Sequence, residues 1–533
     1  MESKKYQAFW RGAIILTIAS FVTKVLSAFY RIPYQNIAGD IGFYIYQQIY
    51  PFYGFCLILA TYGFPIIISK MVAERLERGK KQEAEEIICV SFWFLLGIGF
   101  IGFFTLFFGA EAIATAMGDI HLDKLLRVIS FSFILMPFLS VARGYFQGFN
   151  NMMPTAVSQV IEQTIRVSII VFLSLFLIAH EFDLYTVGAG AMLGSIAGGL
   201  IGIIVLILYM RHDFRSIFFK SVKRIKGKKK IIKILFWQGL AICVSNLVLI
   251  FIQMADSVSF YSLLIGAGEP AESAKVLKGV YDRSIPLMQL GTVVTTSFSL
   301  SLIPIITAAK ERGDLTFIRE KVRLAMKITC VIGFAAAIGL TCIIQPTNIM
   351  LFENSDGSDV LSILSLSILF SSLSITTASI LQGLGQTLKP AIFVVFGGCL
   401  KLVLNYILMP YFGAKGAAIA TLVALIVISV LNSMLLMRAV SESLIDKRNM
   451  LGIVISGFSM GFVLIMFMRV LQMSGLVMDT SHRGVATFEA LLGVAIGGLA
   501  YMFLILKLRV FTKAEIGTVM KKEKKEGSLK KSG

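Results

Sequence analysis

Long apolar stretches, separated by short polar breaks, follow one another along almost the whole chain. A helix of about 20 residues, rising 1.5 Å per residue, crosses the roughly 30 Å hydrocarbon layer of a bilayer. The pattern predicts an all-α polytopic membrane protein with about fourteen such helices. Their expected limits are 10–32, 41–69, 86–110, 125–149, 154–179, 185–210, 231–256, 279–308, 323–345, 359–384, 388–410, 414–437, 450–473 and 485–507.

The composition agrees with this interpretation. Of the 533 residues, 56% are hydrophobic and only 15% are charged, whereas soluble domains carry roughly 25% charged residues. The six cysteines lie in apolar stretches and form no C-x-x-C pair, and the four histidines lie far apart. We therefore expect reduced packing cysteines and no metal site. Because motifs for nucleotide binding, metalloproteases and serine hydrolases are missing from the sequence, we expect neither an enzyme nor a cofactor.

Lysine and arginine are distributed unevenly between the two sides of the predicted bundle. The loops on the side of the N-terminus hold 38 of the 50 basic residues, and the opposite loops hold nine. Because basic loops stay in the cytoplasm, we expect both termini to be cytoplasmic. Basic loops against anionic lipid also account for the net charge of +19, so we expect a bilayer and no nucleic acid as the partner of these charges.

A weak internal repeat emerges when the sequence is compared with itself at an offset of 235 residues. Gly148 then matches Gly383, and Arg166 matches Lys401. Six helices per half is an even number, so the halves would share one orientation, related by a pseudo-twofold axis along the membrane normal and facing a central cavity. The expected units are a first lobe at 1–210, a basic linker at 211–230, a second lobe at 231–440, two additional helices at 441–510 and a basic tail at 511–533.

Ionisable residues inside the predicted spans are candidates for function, because each costs about 2.5 to 3.5 kcal/mol to insert. Glu162 and Arg166 lie four residues apart, and we expect them to pair within their helix. The remaining charges then lean positive, which suits an anionic ligand such as a pyrophosphate. The candidate ligand-binding residues are Lys24, Arg31, Arg283 and Lys401, and the candidate charge partners or coupling residues are Glu162, Arg166, Asp256 and Asp282. As an alternative, Arg31 and Arg283 could lock helices through carboxylates or extend to the membrane surface.

Several segments resemble the polysaccharide-biosynthesis branch of the multidrug/oligosaccharidyl-lipid/polysaccharide (MOP) exporter superfamily. Within that branch the chain is similar to the stage V sporulation protein B group and to the MurJ lipid II flippases. The most specific segment runs from Arg143 to Arg166 and contains Arg-Gly-Tyr-Phe-Gln-Gly, Pro154-Thr155-Ala156 and Glu162-Gln163; the others are Thr23-Lys24-Val25-Leu26-Ser27, Tyr30-Arg31-Ile32-Pro33 and Gly63-Phe64-Pro65.

The resemblance implies a flippase in the inner membrane of a bacterium that moves undecaprenyl-pyrophosphate-linked sugars from the cytoplasmic to the outer leaflet. It also implies that Lys24, Arg31 and Arg283 surround the pyrophosphate, that Asp256 matches a carboxylate of the seventh span, and that the last two spans shape a groove for the lipid tail. The chain departs from MurJ proteins at Lys24, where they commonly have arginine, and it lacks an arginine in the middle of the second span. The identity of the glycan stays open.

Two other functions stay open on the sequence. A drug/cation antiporter of the same superfamily is expected to have an acidic residue in the first span and about twelve spans, whereas this chain has Lys24 and about fourteen predicted spans. A non-transporting scaffold would recruit cell-envelope synthesis proteins through the basic linker and tail. Such a scaffold should tolerate the loss of Lys24 or Arg283.

Overall fold

The computed structural model describes residues 2–210, 227–473 and 482–512, and in these ranges all regular structure is helical. Most of the predicted basic linker and of the basic tail lies outside the described residues. The α-helices are α1 Glu2–Phe29, α2 Arg31–Ile58, α3 Phe64–Glu77, α4 Lys81–Phe108, α5 Ala110–Ala116, α6 Asp123–Gly148, α7 Met153–Ala179, α8 Leu184–Met210, α9 Lys228–Ile234, α10 Leu240–Ser245, α11 Val248–Gly266, α12 Ala271–Asp282, α13 Ser284–Glu311, α14 Leu315–Cys342, α15 Ile344–Phe352, α16 Ser358–Gly383, α17 Leu388–Val440, α18 Lys447–Met473 and α19 Arg483–Lys507. Two π-helical turns, Leu59–Gly63 and Leu235–Gly239, join α2 to α3 and α9 to α10.

Twelve helical segments in the described ranges are long and apolar enough to cross a membrane. Two of them are far longer than the roughly 20 residues that one crossing needs: Ile18–Glu77 has 60 residues and Leu388–Val440 has 53. Each contains a glycine with positive φ, Gly39 at 69° or Gly413 at 54°, where the helical path is interrupted. The predicted count of fourteen is not confirmed by the number of segments, and the number of crossings stays a prediction.

The outer surface of the bundle is apolar. Phe100, Phe104 and Phe108 follow one another at four-residue spacing on α4 and are 42%, 51% and 72% exposed. Because residues four apart share one face of a helix, α4 presents an aromatic stripe to its surroundings. Arginines such as Arg143 and Arg166 are instead fully buried. Apolar side chains outside and charged side chains inside define a multi-pass membrane protein.

The internal repeat is confirmed by the bounds of the helices. The helices α6 and α16 have 26 residues each, and the second begins 235 positions after the first. The helices α4 and α14 have 28 residues each and begin 234 positions apart, as do the short helices α5 and α15. The two halves are therefore pseudo-symmetric in their helices, while the residue limits of the lobes stay a prediction.

Helices of each half pack mainly with one another. In the first half α7 packs closely on α8. The helices are so close that a Cβ atom added at Gly198 of α8 would lie 2.6 Å from the carbonyl oxygen of Glu162 on α7. In the second half α16 packs on α13, α14 and α17. The halves meet where α1 lies against α13 and where α2 lies against α11 and α12.

The two ends of the bundle are named here by their loops. The basic face carries the turns at 78–80, 149–152, 312–314 and 384–387, and the opposite face carries those at 180–183, 267–270 and 353–357. Lys310 donates to the carbonyl oxygen of Leu384 on the basic face, which joins α13 to the end of α16.

Candidate functional site

A central cavity of about 230 Å³ lies between the two halves. Helices α1, α2, α6 and α7 line it from the first half, and α10, α11, α13 and α16 from the second. The helix α16 begins at Ser358, yet its lining residues start at Ile375 and extend to Gln382, one residue before the helix ends. Since that end of α16 belongs to the basic face, the cavity occupies the part of the bundle nearer to the basic face.

Arg143 and Glu162 form an ion pair in the cavity wall. A terminal nitrogen of Arg143 donates to Oε2 of Glu162 at 2.5 Å, and the other N–H groups donate to the hydroxyls of Thr61 and Ser158 at 3.0 to 3.3 Å. The expected pairing of Glu162 with Arg166 is therefore wrong. The carboxylate turns from α7 toward α6, where the buried guanidinium of Arg143 offers a direct partner. Arg143 itself is fully buried.

Arg166 consequently has no carboxylate partner among the described residues. Its terminal nitrogens donate to the hydroxyls of Tyr53 at 2.9 Å and Ser27 at 3.2 Å, while its Nε is buried without a partner. The guanidinium carbon lies 5.1 Å from the ring centre of Tyr53 and 5.6 Å from that of Tyr30. Aromatic rings stabilise a desolvated cation by about 2 kcal/mol each, so they lower the cost of burial but leave the charge in place.

Arg31, in the first turn of α2, has a similar environment. One terminal nitrogen donates to the carbonyl oxygen of Ser27 at 3.1 Å and to Oε1 of Gln289 at 2.5 Å. Its Nε and its second terminal nitrogen have no partner in the described ranges. The guanidinium carbon lies 4.3 Å from the ring centre of Tyr50, and the whole residue is buried. Arg31 is thus a second buried cation that forms no ion pair with any described residue.

Lys24 adds a third positive charge. It lines the cavity and forms no ion pair with a described residue. It precedes Arg31 by two helical turns, so the two lie on nearly one face. Ser27, between them, contacts both Arg31 and Arg166 and also lines the cavity. We name Lys24, Arg31 and Arg166 the cationic site.

Arg283 lies elsewhere, at the junction of α12 and α13 on the opposite face. Its Nε and one terminal nitrogen donate to both carboxylate oxygens of Asp40 at 2.7 to 3.0 Å. The other terminal nitrogen donates to Asn354 at 2.6 Å and to Asn348 at 3.3 Å. Of the two expectations for Arg283, the locking of helices through a carboxylate matches this geometry, and a position in the cavity wall does not. We name this contact between the halves the Arg283–Asp40 clamp.

Lys401 is buried in the second half together with its counter-ion. Its Nζ donates to Oδ2 of Asp256 at 2.5 Å and to the hydroxyl of Thr421 at 2.6 Å. Asp256 also accepts from the hydroxyl of Tyr281 at 3.0 Å and from the amide of Asn405 at 3.1 Å. This network neutralises Lys401 inside the second half, away from the cavity wall, so Lys401 is not part of a surplus of cations at the cavity.

The repeat makes the two halves directly comparable. Arg166 and Lys401 occupy equivalent positions, because α7 and α17 begin 235 positions apart, but Lys401 is paired with Asp256 whereas Arg166 donates to hydroxyls. The first half therefore has a central cation without the acid that neutralises its counterpart. Asp282, the last candidate, pairs with Lys278 at 2.5 Å within the second half.

Of the predicted site residues, the structure thus leaves three, Lys24, Arg31 and Arg166, without a carboxylate partner in the described ranges, and it places the others in carboxylate pairs. Lys24 lines the cavity, and the two arginines contact Ser27 in its wall. Asp40 and Gln289, which accept from the predicted arginines, are not among the site residues that the sequence predicts. The position of Asp40 directly after Gly39, in a polar break, is the one signal that could have drawn attention to it.

A helical membrane bundle with a repeated half and a central cavity is the architecture of the MOP superfamily of transporters. The solved structure of the lipid II flippase MurJ in an inward closed conformation has this fold, with a TM-score of 0.66 at 16% identity over 93% of this chain and 99% of that chain. A family model described as polysaccharide biosynthesis protein matches residues 9–310, and the MatE family model matches residues 279–407. The chain belongs to the polysaccharide biosynthesis protein family, within the MOP superfamily.

Two relatives from Bacillus subtilis are similar over nearly their whole length. The uncharacterized membrane protein YabM is 41% identical over 96% of this chain and 94% of its own. The lipid II flippase MurJ is 26% identical over 92% of this chain and 94% of its own. The resemblance found in the sequence is therefore confirmed.

Proposed function

We propose that this protein is a flippase that moves polyprenyl-pyrophosphate-linked sugars, precursors of peptidoglycan or polysaccharide, from the inner to the outer leaflet by alternating access. The observation that carries the proposal is the cationic site. The ammonium group of Lys24 lines the central cavity, two fully buried guanidinium groups contact Ser27 in its wall, and none of the three has a carboxylate partner among the described residues.

Electrostatics favour an anionic ligand at this site. An unpaired charge taken out of water costs several kcal/mol, and Arg31 and Arg166 also repel each other across Ser27. A pyrophosphate would relieve both effects, because its paired oxygens match the fork of N–H groups on a guanidinium. The unpartnered Nε atoms of Arg31 and Arg166 are donors available for such oxygens.

The geometry also supports a conformation that receives its ligand from the basic face. The cavity is nearer to that face, while the Arg283–Asp40 clamp joins the halves at the opposite face. With the basic face in the cytoplasm of a bacterial cell, as the charge distribution predicts, ligand enters from the inner leaflet. Gln289, which accepts from Arg31, belongs to the second half. A ligand that competes for Arg31 would therefore alter a contact between the halves, which gives it different affinities for the two conformations.

The relatives support a lipid-linked ligand. One relative is named a lipid II flippase, and the matching family is described by polysaccharide biosynthesis. The MatE match to residues 279–407 keeps a drug/cation antiporter as the second candidate. A cation site would need an acid at the cavity, and the one carboxylate in the described wall, Glu162, is bound by Arg143. The cationic site therefore favours the flippase.

Complementation of flippase-depleted bacterial cells tests the proposal. We expect rescue by the wild type and by Arg323→Ala, a control that removes a partly exposed arginine paired with Glu442. We expect no rescue by Arg31→Ala or Arg166→Ala at equal amounts in the membrane. Rescue by both arginine variants would remove the cationic site from the mechanism. For glycans that the depleted strain does not use, the purified protein is titrated with polyprenyl pyrophosphate, and Arg166→Ala should weaken binding at least about tenfold.

A further inference from the structure

Carboxamide side chains form the cavity wall between the cationic site and the basic face. Gln159 of α7, Gln253 of α11 and Gln382 of α16 all line the cavity. Each has a buried amide atom without a hydrogen-bond partner in the described ranges, namely Oε1 of Gln159, Oε1 of Gln253 and Nε2 of Gln382. Gln159 is only 6% exposed. Because a buried amide atom costs free energy when left unpaired, these atoms indicate a ligand group that completes them. We name the three glutamines the amide wall.

The amide wall is electrically neutral. Glu162, one turn from Gln159 on α7, is neutralised by Arg143 at 2.5 Å. Hydroxyls of Thr61, Thr296 and Ser379 line the same part of the cavity. Amides and hydroxyls both donate and accept, so they match the hydroxyl and acetamido groups of a sugar, whereas they would leave a charged group uncompensated.

The two sites have a defined order along the cavity. Gln159 precedes Arg166 by seven residues on α7, which is two turns, or about 10 Å along the helix axis toward the basic face. Residues at this spacing share a face of the helix. A ligand whose anionic group binds the cationic site therefore has its next polar group at the amide wall if that group points toward the basic face.

We propose that the amide wall is a sugar subsite that selects a neutral sugar bearing hydroxyl and acetamido groups next to the pyrophosphate. This inference rests on the proposed function, and it assigns the sugar specificity of the flippase to the three glutamines of the amide wall. Since Gln159 belongs to the first half and Gln253 and Gln382 to the second, a bound sugar joins the two halves on the side of the basic face.

The test compares two lipids on the full chain in nanodiscs. The probes are undecaprenyl pyrophosphate and the same lipid carrying one N-acetylglucosamine. We expect the wild type to bind the sugar-bearing lipid about tenfold more tightly, a gain that a few neutral hydrogen bonds supply. The triple variant Gln159→Leu, Gln253→Leu, Gln382→Leu should bind both lipids equally, with the affinity for the bare lipid unchanged. The control is Gln47→Leu, which removes a buried glutamine with two unpartnered amide atoms outside the cavity wall and should keep the preference.

The outcomes separate this inference from the proposed function. Equal affinity of the wild type for the two lipids, or a preference that persists in the triple variant, overturns the sugar subsite and leaves the cationic site intact. Unchanged binding of the bare lipid by Arg166→Ala overturns the proposed function instead. If the triple variant does not fold, Gln159→Asn is measured, since it keeps the amide but withdraws it by one methylene. That variant should lose part of the preference, and full retention contradicts the subsite.

Discussion

The Arg283–Asp40 clamp predicts the effect of a single isosteric change, Asp40→Asn. Arg283 is fully buried and receives all of its carboxylate contacts from Asp40, through three N–H···O hydrogen bonds of 3.0 Å or less. Under alternating access, this contact between the halves exists while the opposite face is closed. Removal of the charge should therefore favour the conformation in which the opposite face is open.

The structure sets the size of the effect. Loss of one partner from a buried ion pair costs about 3 to 5 kcal/mol. The side chain of Asp40 is 15% exposed, and two asparagines still accept from Arg283, so the lower end applies. About 3 kcal/mol corresponds to roughly a hundredfold change in the ratio of the conformations. An open state populated at about 1% would rise to about half of the molecules.

Pulsed electron spin resonance between two labels on the opposite face measures this change. His180→Cys and Ser355→Cys, both at exposed positions, place one label on each half of a chain whose native cysteines are replaced. We expect a second, longer distance in Asp40→Asn. The control is Asp359→Asn, which removes an exposed pair with Lys415 within the second half and should leave the distances unchanged. A lowered melting temperature with an unaltered distance distribution in Asp40→Asn would refute the reasoning, because the pair would then support every conformation equally.

Two further predictions concern stability. Lys401→Ala leaves Asp256 buried without its cation and should destabilise the protein by about 3 to 5 kcal/mol; thermal melting of the purified protein measures this, and the double variant with Asp256→Ala should lose less than the two single variants together. Gly63→Ala would place Cβ 2.0 Å from Sγ of Cys243 and should reduce the folded yield, as measured by size-exclusion chromatography, whereas added Cys243→Ala should restore much of it. A normal yield of Gly63→Ala alone would show that the two helices separate readily at this point.

Much of the fold follows from local properties of the sequence. Apolar length and the distribution of basic loops predict the helices, and the match of Gly148 with Gly383 predicts the repeat because both glycines end equivalent helices. The location of Lys24 and Arg31 on nearly one face also follows from their spacing of two helical turns. These features depend on helix geometry, so they can be predicted from the spacing of residues along the sequence.

Pairs between helices depend on packing and were not predictable in the same way. Asp40 and Arg283 are 243 residues apart, and nothing local relates them. Glu162 and Arg166 have the spacing of a helical ion pair, yet Glu162 binds Arg143 on a neighbouring helix. An exposed pair four residues apart gains only a few tenths of a kcal/mol, so a buried partner across a helix interface readily overrides it. The same override left Arg166 unpaired and made it part of the cationic site.

The equivalent positions Arg166 and Lys401 give the two halves different charge balances, because only Lys401 has a carboxylate partner among the described residues. The second half carries a built-in counter-ion for Lys401 and keeps the same internal charge balance whether the cavity is empty or full. Under the proposed function, the first half would complete its charge balance when an anion binds at the cationic site. The repeat thus builds two halves from the same arrangement of helices, one with a neutralised central cation and one whose central cation has no carboxylate partner among the described residues. Under the proposed function, binding of an anion would change the charge balance of the first half alone, although the two halves share one arrangement of helices.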